Sequence, residues 1–239
     1  MIKRLFLVVA LAACPLVANA AMPYDAVGRL SPPGKTWGGS CVLIYAKDGK
    51  GLIVTNAHVT CGRSDWVATW HNGSRKAKVV AYLKDVDLSF LVVEDPPVPA
   101  AHLGMRDSHI VFAGYPHYER TKLHWQYGNV ESEGLTRTRW VNKPVPGMSG
   151  GAVFDRKDGD LCGIVEASKD NYGIGISDVT LIVFASKYED PKTWVEDSAA
   201  CLADKLEPGS LAKPSKTVVT KDADDVPPPV WELPDEEND

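Results

Sequence analysis

The sequence has little that would place it in a membrane or build a metal centre. After the first twenty of its 239 residues, no segment approaches the roughly 20 consecutive apolar residues that a membrane-spanning helix needs. None of its five cysteines forms a C-x-x-C pair, so the usual close spacing of zinc ligands is missing. No internal repeat is evident. We therefore expect a globular protein with a core of ordinary size and with no metal or other cofactor.

Positive charge is also in short supply. The net charge is -5, and residues 222–239 contain eight acidic residues and no basic one. The rest of the chain is therefore close to neutral. We expect that nucleic acid is not the principal partner, because nucleic-acid binding domains carry clustered Lys and Arg.

The first twenty residues, MIKRLFLVVALAACPLVANA, have the pattern of a signal peptide. Two basic residues precede an apolar run, and Ala-Asn-Ala at residues 18–20 forms a small-residue cleavage site. The pattern predicts cleavage after Ala20 and an exported protein, either periplasmic or secreted. An alternative interpretation is that LAAC at residues 11–14 is a lipoprotein box, which would leave Cys14 lipidated at a membrane.

Removal of this leader leaves four cysteines, and an even number in an exported chain favours disulfides. Four cysteines allow three connectivities. The four are Cys41, Cys61, Cys162 and Cys201.

Short β-rich runs separated by turn residues predict an all-β domain. The proline-rich stretch EDPPVPA divides these runs into two groups, and we place a linker at residues 94–103 between segments 36–93 and 104–188. Asp190 and Pro191 predict the start of a helix over 190–206, which completes a domain at 21–206. The acidic, proline-containing residues 207–239 predict a disordered tail. The candidate strands are 41–46, 51–55, 65–70, 76–82, 88–93, 109–114, 123–131, 136–141, 151–154, 161–167 and 179–185.

The stretch GMSGG at residues 147–151 surrounds Ser149 with glycines. It formally fits the G-x-S-x-G nucleophile elbow of α/β-hydrolases, in which the histidine follows the serine. That interpretation fails because all six histidines precede Ser149.

A serine hydroxyl needs a neighbouring base to become a nucleophile. His58 is the best candidate, because it lies where the apolar strand of GLIVTNAHV ends and the chain turns. Asp87 is the candidate acid, because it directly precedes the apolar run LSFLVV and a buried carboxylate needs a partner such as an imidazole N–H. Asp85 is its competitor.

The segments TNAHVTCG, DVDLSFL and GMSGGAV, in that order, resemble the three catalytic segments of trypsin-like serine proteases. The stretches GGSCVLIYAKDGKGLIVTNAHV, VFAGYP and GNVES make the sequence most similar to HtrA-type and short exported bacterial peptidases without a PDZ domain. The resemblance covers about residues 36–188. It implies two six-stranded antiparallel β-barrels of the chymotrypsin type with a C-terminal helix, and a serine endopeptidase. A catalytically silent binding module and an esterase on the same fold are the alternatives.

The resemblance also implies roles for individual residues. His58 would be the general base, Asp87 its orienting partner, and Ser149 the nucleophile that forms an acyl-enzyme. The backbone N–H groups of Gly147 and Ser149 would form the oxyanion hole. Met148 stands where digestive proteases carry an aspartate that binds the newly cut N-terminus, so that activation switch is absent.

In the chymotrypsin-like family a disulfide holds the catalytic turn, which implies a bridge between Cys41 and Cys61. Cys162 and Cys201 are left to pair with each other, and the alternative is that both remain free thiols. The residue six before Ser149 is Lys143, not an acid, so the family pattern does not support cleavage after Arg or Lys. A preference for acidic residues or for small aliphatic ones stays open, as does the oligomeric state. The substrate pocket would be built by Lys143, Pro144, Val145, Pro146, Val165, Glu166, Ala167 and Ser168.

Overall fold

A computed structural model describes residues 22–117 and 121–194. All of these residues belong to one compact unit of the chain, Met1–Lys205. Within the described residues, no helix combines the length and the apolar character needed to cross a bilayer.

The first barrel is built from the first six strands. These are β1 (Val27–Ser31), β2 (Gly39–Lys47), β3 (Lys50–Thr55), β4 (Asp65–Trp70), β5 (Gly73–Leu83) and β6 (Leu88–Glu94). Their order is β1-β2-β3-β6-β5-β4, and antiparallel pairing of β1 with β4 closes the barrel. A one-turn helix, α1 (Ala57–Thr60), follows β3. Asp48 and Gly49 form the tight turn between β2 and β3, with φ of 53° and 75°. Both central positions of such a turn need a positive φ, which aspartate and glycine tolerate.

The second barrel repeats this plan. Its strands are β7 (His109–Gly114), β8 (His124–Glu133), β9 (Arg137–Val141), β10 (Ala152–Asp155), β11 (Leu161–Lys169) and β12 (Tyr172–Ile176). Their order is β10-β11-β12-β9-β8-β7, and β10 pairs with β7 to close the sheet. The predicted fold class, two closed six-stranded antiparallel barrels of the chymotrypsin type, is therefore confirmed.

Three apolar clusters hold the domain together. One fills the first barrel around Leu43, Trp66 and Leu91, and one fills the second barrel around Phe112 and Trp140. The third lies between the barrels, where Phe90 and Leu52 of the first barrel join a cluster that includes Phe154 and Ile164 of the second. Each fully buried side chain of this size contributes roughly 1.5–3 kcal/mol relative to an exposed one. The two barrels therefore pack as one body, and residues on their facing edges have fixed relative positions.

Two strands were not predicted, and one predicted strand is wrong. The unpredicted strands are β1, whose sequence VGRLS lies outside the family resemblance, and β12, whose sequence YGIGI has a low strand propensity. Trp140 packs over both glycines of β12, since a Cβ at Gly173 would lie 2.3 Å from its ring and one at Gly175 would lie 2.8 Å from it. The two glycines lower the strand propensity of this sequence, but they leave the space that the Trp140 ring occupies.

The predicted strand 179–185 is instead a helix, α2 (Asp178–Ala185). Ser177 caps it, because the Ser177 hydroxyl accepts a hydrogen bond from the Thr180 N–H at 3.2 Å. Its apolar, β-branched sequence is equally typical of a buried strand. The cap and the packing of α2 against β11 decide in favour of the helix.

The predicted helix over 190–206 is described only in its first residues. There the chain forms a 3-10 helix at Pro191–Thr193, and the Asp190 carboxylate accepts a hydrogen bond from the Lys192 N–H at 3.0 Å. The remainder of that prediction, the tail at 207–239, the leader with Cys14, and Cys201 all lie outside the described residues.

The predicted Cys41–Cys61 disulfide is wrong, because Cys41 is a thiol buried in the first barrel. Cys41 lies on β2 opposite Gly28 of β1, where its sulfur would be 3.2 Å from a Cβ at Gly28. Its side chain therefore points into the barrel core, while Cys61 lies in the turn that follows α1. Cys162 is also a buried thiol, and it donates to the Val153 carbonyl at 3.2 Å. Burial raises the pKa of both buried thiols.

Candidate active site

His58 and Asp87 are joined by two contacts in the first barrel. The His58 Nδ1 lies 2.8 Å from Asp87 Oδ2, and the His58 backbone N–H donates to Asp87 Oδ1 at 2.9 Å. The Asp87 side chain is 15% exposed and the His58 side chain is 49% exposed. The imidazole is thus held on its Nδ1 side by a shielded carboxylate, while much of the ring faces solvent. In this structure Asp87, not Asp85, is the carboxylate that contacts His58.

The backbone of Asp87 is fixed as firmly as its side chain. Its φ of 54° lies in the left-handed region, which aspartate tolerates better than most residues. Its carbonyl accepts hydrogen bonds from the Ala57 N–H at 3.1 Å and from the Asn56 amide at 3.2 Å. These two hydrogen bonds join the segment that leads into α1 to the segment that leads into β6, and they help to orient the His58 imidazole.

Ser149 lies in the turn that leads into β10 of the second barrel. Gly147 and Gly150 on either side of it have φ of 99° and 83°. A Cβ at Gly147 would lie 2.5 Å from the His117 backbone nitrogen, and one at Gly150 would lie 2.1 Å from the Ser40 carbonyl oxygen. Both positions therefore require glycine, for conformation and for space.

Ser40 of the first barrel holds this turn of the second. Its N–H donates to the Ser149 carbonyl at 2.7 Å, and its hydroxyl donates to the Gly147 carbonyl at 3.0 Å. The same hydroxyl accepts a hydrogen bond from the Tyr115 N–H at 2.8 Å. Ser40 is completely buried, so these bonds are shielded from water.

Two backbone N–H groups of the turn are available for a ligand. Among the described residues, the N–H groups of Gly147 and Ser149 have no acceptor within the protein. The Ser149 hydroxyl donates to the carbonyl of Glu166 at 3.1 Å, and within the described part of the chain it has no hydrogen bond to His58. The turn can therefore accept an anionic oxygen, while its hydroxyl is held by β11.

Met148 fixes the turn of Ser149 by packing its side chain into the core of the second barrel. It is 1% exposed and packs in the core of the second barrel with Phe112, Trp140 and Cys162. An apolar side chain thus occupies the position before Ser149. The turn is held by packing and needs no ion pair at this position.

Glu166 brings a further carboxylate to the cleft between the barrels. It pairs with Arg137 of β9, whose Nη2 donates to Glu166 Oε1 at 3.1 Å and whose Nε contacts Oε2. Burial raises the pKa of Glu166, while Arg137 acts to lower it. Glu166 also interacts electrostatically with Asp87 and His58.

The predicted pocket residues fall into three groups by exposure. Pro144 and Val165 are buried, and Val165 packs in the core of the second barrel. Val145 and Glu166 are half-buried. The exposed members are Lys143, Pro146, Ala167 and Ser168.

Sequence reasoning missed three residues that shape the site: Ser40, Asn56 and Arg137. Asn56 directly precedes α1, and its closeness to His58 in the sequence was the available signal. Ser40 lies in the small-residue run GGSC, 107 residues before Gly147, so only tertiary structure brings it to GMSGG. Arg137 gave no local signal, because pairing of β9 with β12 is what brings it to Glu166.

Comparison with known proteins identifies the family of the chain. The sequence profile of the trypsin-like peptidase domain family matches residues 39–164, which include His58, Asp87 and Ser149. The chain belongs to this family. No curated protein matches the chain closely enough to identify a relative.

Solved structures share the fold at low sequence identity. The serine endoprotease from Yersinia pestis is 22% identical with a TM-score of 0.60, and the match covers 72% of this chain and 64% of that one. The HtrA-type protease AlgW with a tripeptide is 25% identical with a TM-score of 0.56, over 72% of this chain and 62% of that one. An inactive form of Rv3671c from M. tuberculosis H37Rv is 19% identical with a TM-score of 0.56, over 69% and 87%. The chain thus spans less than two thirds of the length of the first two, and the likeness shows that it shares their fold.

Proposed function

We propose that the protein is a serine endopeptidase in which His58, Asp87 and Ser149 cleave peptide bonds through an acyl-enzyme. One observation carries the proposal: both oxygens of the Asp87 carboxylate contact His58, one through the ring and one through the backbone. A carboxylate at Nδ1 favours the tautomer that carries its proton there, which leaves Nε2 as a base. The family match and the nucleophile turn on the facing barrel support the same assignment.

In the proposed reaction, the Ser149 oxygen attacks the carbonyl carbon of the scissile bond while Nε2 of His58 takes its proton. Asp87 stabilises the imidazolium that forms. The C–N bond then breaks, and the departing amine takes the proton from His58. Water attacks the acyl-enzyme by the same steps, and the peptide acid leaves with Ser149 restored.

The first step requires the Ser149 hydroxyl to leave the Glu166 carbonyl and turn toward His58. A rotation about the serine Cα–Cβ bond is the motion needed, and hydrogen bonds of catalytic groups are commonly loose before substrate binds. The negative oxygen of the tetrahedral intermediate would be received by the N–H groups of Gly147 and Ser149. One such donor contributes about 3–4 kcal/mol to transition-state stabilisation.

Labelling with a fluorophosphonate probe tests the proposal. We expect Ser149 to be labelled in the native protein and labelling to be lost in His58→Ala, with His102→Ala as a matched control. His102 pairs with Asp160 at 3.0 Å in an otherwise similar exposed His–Asp contact. A correctly folded protein that resists labelling would instead be a silent binding module. Comparison of casein hydrolysis with short-ester hydrolysis separates a peptidase from an esterase.

We propose protein or peptide substrates, with no preference for cleavage after Arg or Lys. Lys143 is exposed beside the buried Pro144, and no acid occupies the corresponding position. Mass spectrometry of products from a peptide library reports the preferred residue directly. A dominant cut after Arg or Lys would contradict this part of the proposal.

The leader pattern supports a further part of the proposal, that the enzyme works outside the cytoplasm. The N-terminal sequence of the protein recovered from cells should begin at Ala21. A lipid-modified cysteine at the N-terminus would identify Cys14 as the processing site instead.

A further inference from the structure

Glu166 is held at the active site by its backbone and by its side chain. A shift of register between Val165 and Ala167 leaves Glu166 without a partner residue on β12. The carbonyl of Glu166 instead accepts the Ser149 hydroxyl at 3.1 Å. Its neighbour Val165 is fixed by two backbone bonds to the nucleophile turn, both of 2.8 Å, with Gly150 and Gly151. Glu166 therefore has a defined place beside Ser149.

Its carboxylate interacts with three charged or titratable groups from three different elements. Arg137 of β9 pairs with it directly, while His58 of α1 and Asp87 before β6 interact with it across the cleft. The side chain of Glu166 is 19% exposed and that of Arg137 is 31% exposed. Water screens such a pair incompletely, so each charge still acts on neighbouring groups.

We infer that Glu166 and Arg137 form a counter-ion pair that sets the charge balance at His58, with Glu166 as a positioning residue for the imidazolium that forms during the reaction. Asp87 alone would stabilise this cation from its Nδ1 side. Glu166 adds a second negative charge, and Arg137 offsets that charge. The electrostatic field at the imidazole is therefore the sum of the contributions from Asp87, Glu166 and Arg137. Removing the charge of Glu166 or of Arg137 changes this field in a direction that can be stated in advance. This inference rests on the proposed function of His58 as the base.

Two single substitutions have opposite expected effects. Glu166→Gln leaves the Arg137 cation uncompensated, which disfavours the imidazolium, so the acidic limb of the pH profile of kcat/KM should move to lower pH by about 0.5–1 unit. Arg137→Gln leaves the Glu166 carboxylate uncompensated and should move the limb to higher pH. This second shift should be smaller, because the pKa of Glu166 rises further without its cation and part of the charge is lost.

The double variant Glu166→Gln/Arg137→Gln should return the limb close to its original position. This variant also guards against misfolding, because it leaves no unpaired charge in the cleft. A matched control pair joins Arg139 of β9 to Glu131 of β8, whose Nε and Oε2 atoms lie 2.9 Å apart. Both side chains are more than 40% exposed. Glu131→Gln and Arg139→Gln should leave the limb in place.

The decisive measurement is the titration of the His58 ring resonance by NMR, in the original protein and in each variant. This readout does not need catalysis, and His71 and His102, which pair with Asp25 and Asp160, serve as internal controls. If Glu166→Gln shifts the His58 titration no more than Glu131→Gln does, the inference is overturned even when peptides are cleaved. If the titration shifts as expected and no peptide or ester is cleaved, the charge balance at His58 stands, while the proposed function and the role of Glu166 in the reaction fall.

Discussion

The two barrels hold their parts of the candidate site by different means. In the first barrel, side-chain bonds fix His58, because the Asp87 carboxylate contacts both its ring and its backbone. In the second barrel, the turn around Ser149 is held by backbone geometry, by the apolar anchor Met148, and by Ser40, which belongs to the first barrel. His58, the proposed base, is therefore positioned within its own barrel, whereas Ser149, the proposed nucleophile, depends on the contact between barrels.

The largest expected effect tests the side-chain lock of the first barrel. Asp87→Asn should lower kcat by about 10⁴, because an amide at this position favours the wrong imidazole tautomer while the geometry is kept. Asp85→Asn is the control, since Asp85 is exposed and precedes the same strand. Peptide hydrolysis rates measure both variants. An equal loss in the two would show that the carboxylate at Asp87 has no special role.

The next effect tests the backbone geometry of the second barrel. Gly147→Ala should lower kcat by about 10²–10³, because the added methyl group collides with the His117 backbone and displaces the proposed oxyanion donor. Gly34→Ala is a matched control, because Gly34 also has a positive φ, of 69°, but no atom lies within 4 Å of its Cβ position. Enzyme kinetics measure the effect of each variant on kcat, and thermal unfolding measures its effect on stability. The control should show a modest loss of stability and unchanged kcat.

Ser40→Ala tests the dependence of the nucleophile turn on the first barrel. We expect a loss of about 1–3 kcal/mol in the free energy of unfolding, because the Tyr115 N–H and the Gly147 carbonyl lose a buried partner. Activity should fall as well, since the turn loosens. Ser89→Ala in the same barrel is the control, because Ser89 is equally buried but has a single hydroxyl bond, to the Ala81 carbonyl at 3.2 Å. Denaturant unfolding measures the free energy of unfolding of both variants. If Ser40→Ala and Ser89→Ala lose the same amount and activity is unchanged, Ser40 has no role in positioning the turn.

The smallest expected effect concerns the cysteines. A reducing agent should leave the unfolding midpoint unchanged, because Cys41 lies in the barrel core and forms no disulfide. Burial raises the pKa of the Cys41 and Cys162 thiols, so both stay protonated at neutral pH and should react with iodoacetamide only after unfolding. Mass spectrometry of the native protein without reductant checks this. A Cys41–Cys61 peptide in the digest would contradict the structure.

Much of the fold and the candidate site could be predicted because the signals were local. Short β-rich runs marked strands such as β4 and β7, whose predicted bounds agree with the structure. The motifs GMSGG and TNAHV marked the two turns of the candidate site. The failures have a common cause, which is that packing outweighed a local preference. The glycines of β12 are used to fit Trp140, the sequence of α2 is typical of a strand, and Cys41 points inward because its register with Gly28 turns it away from Cys61.

The sequence alone determined which chemical groups the protein has: a hydroxyl surrounded by glycines, one histidine at a strand end, one aspartate before a buried strand, and a methionine in place of a charged anchor. Tertiary structure decided which groups meet. The packing of the first barrel against the second brings Ser40 into contact with the turn of Ser149. The pairing of β9 with β12 brings Arg137 to Glu166. These contacts join residues far apart in the chain, and buried polar groups select such partners only after the core has packed.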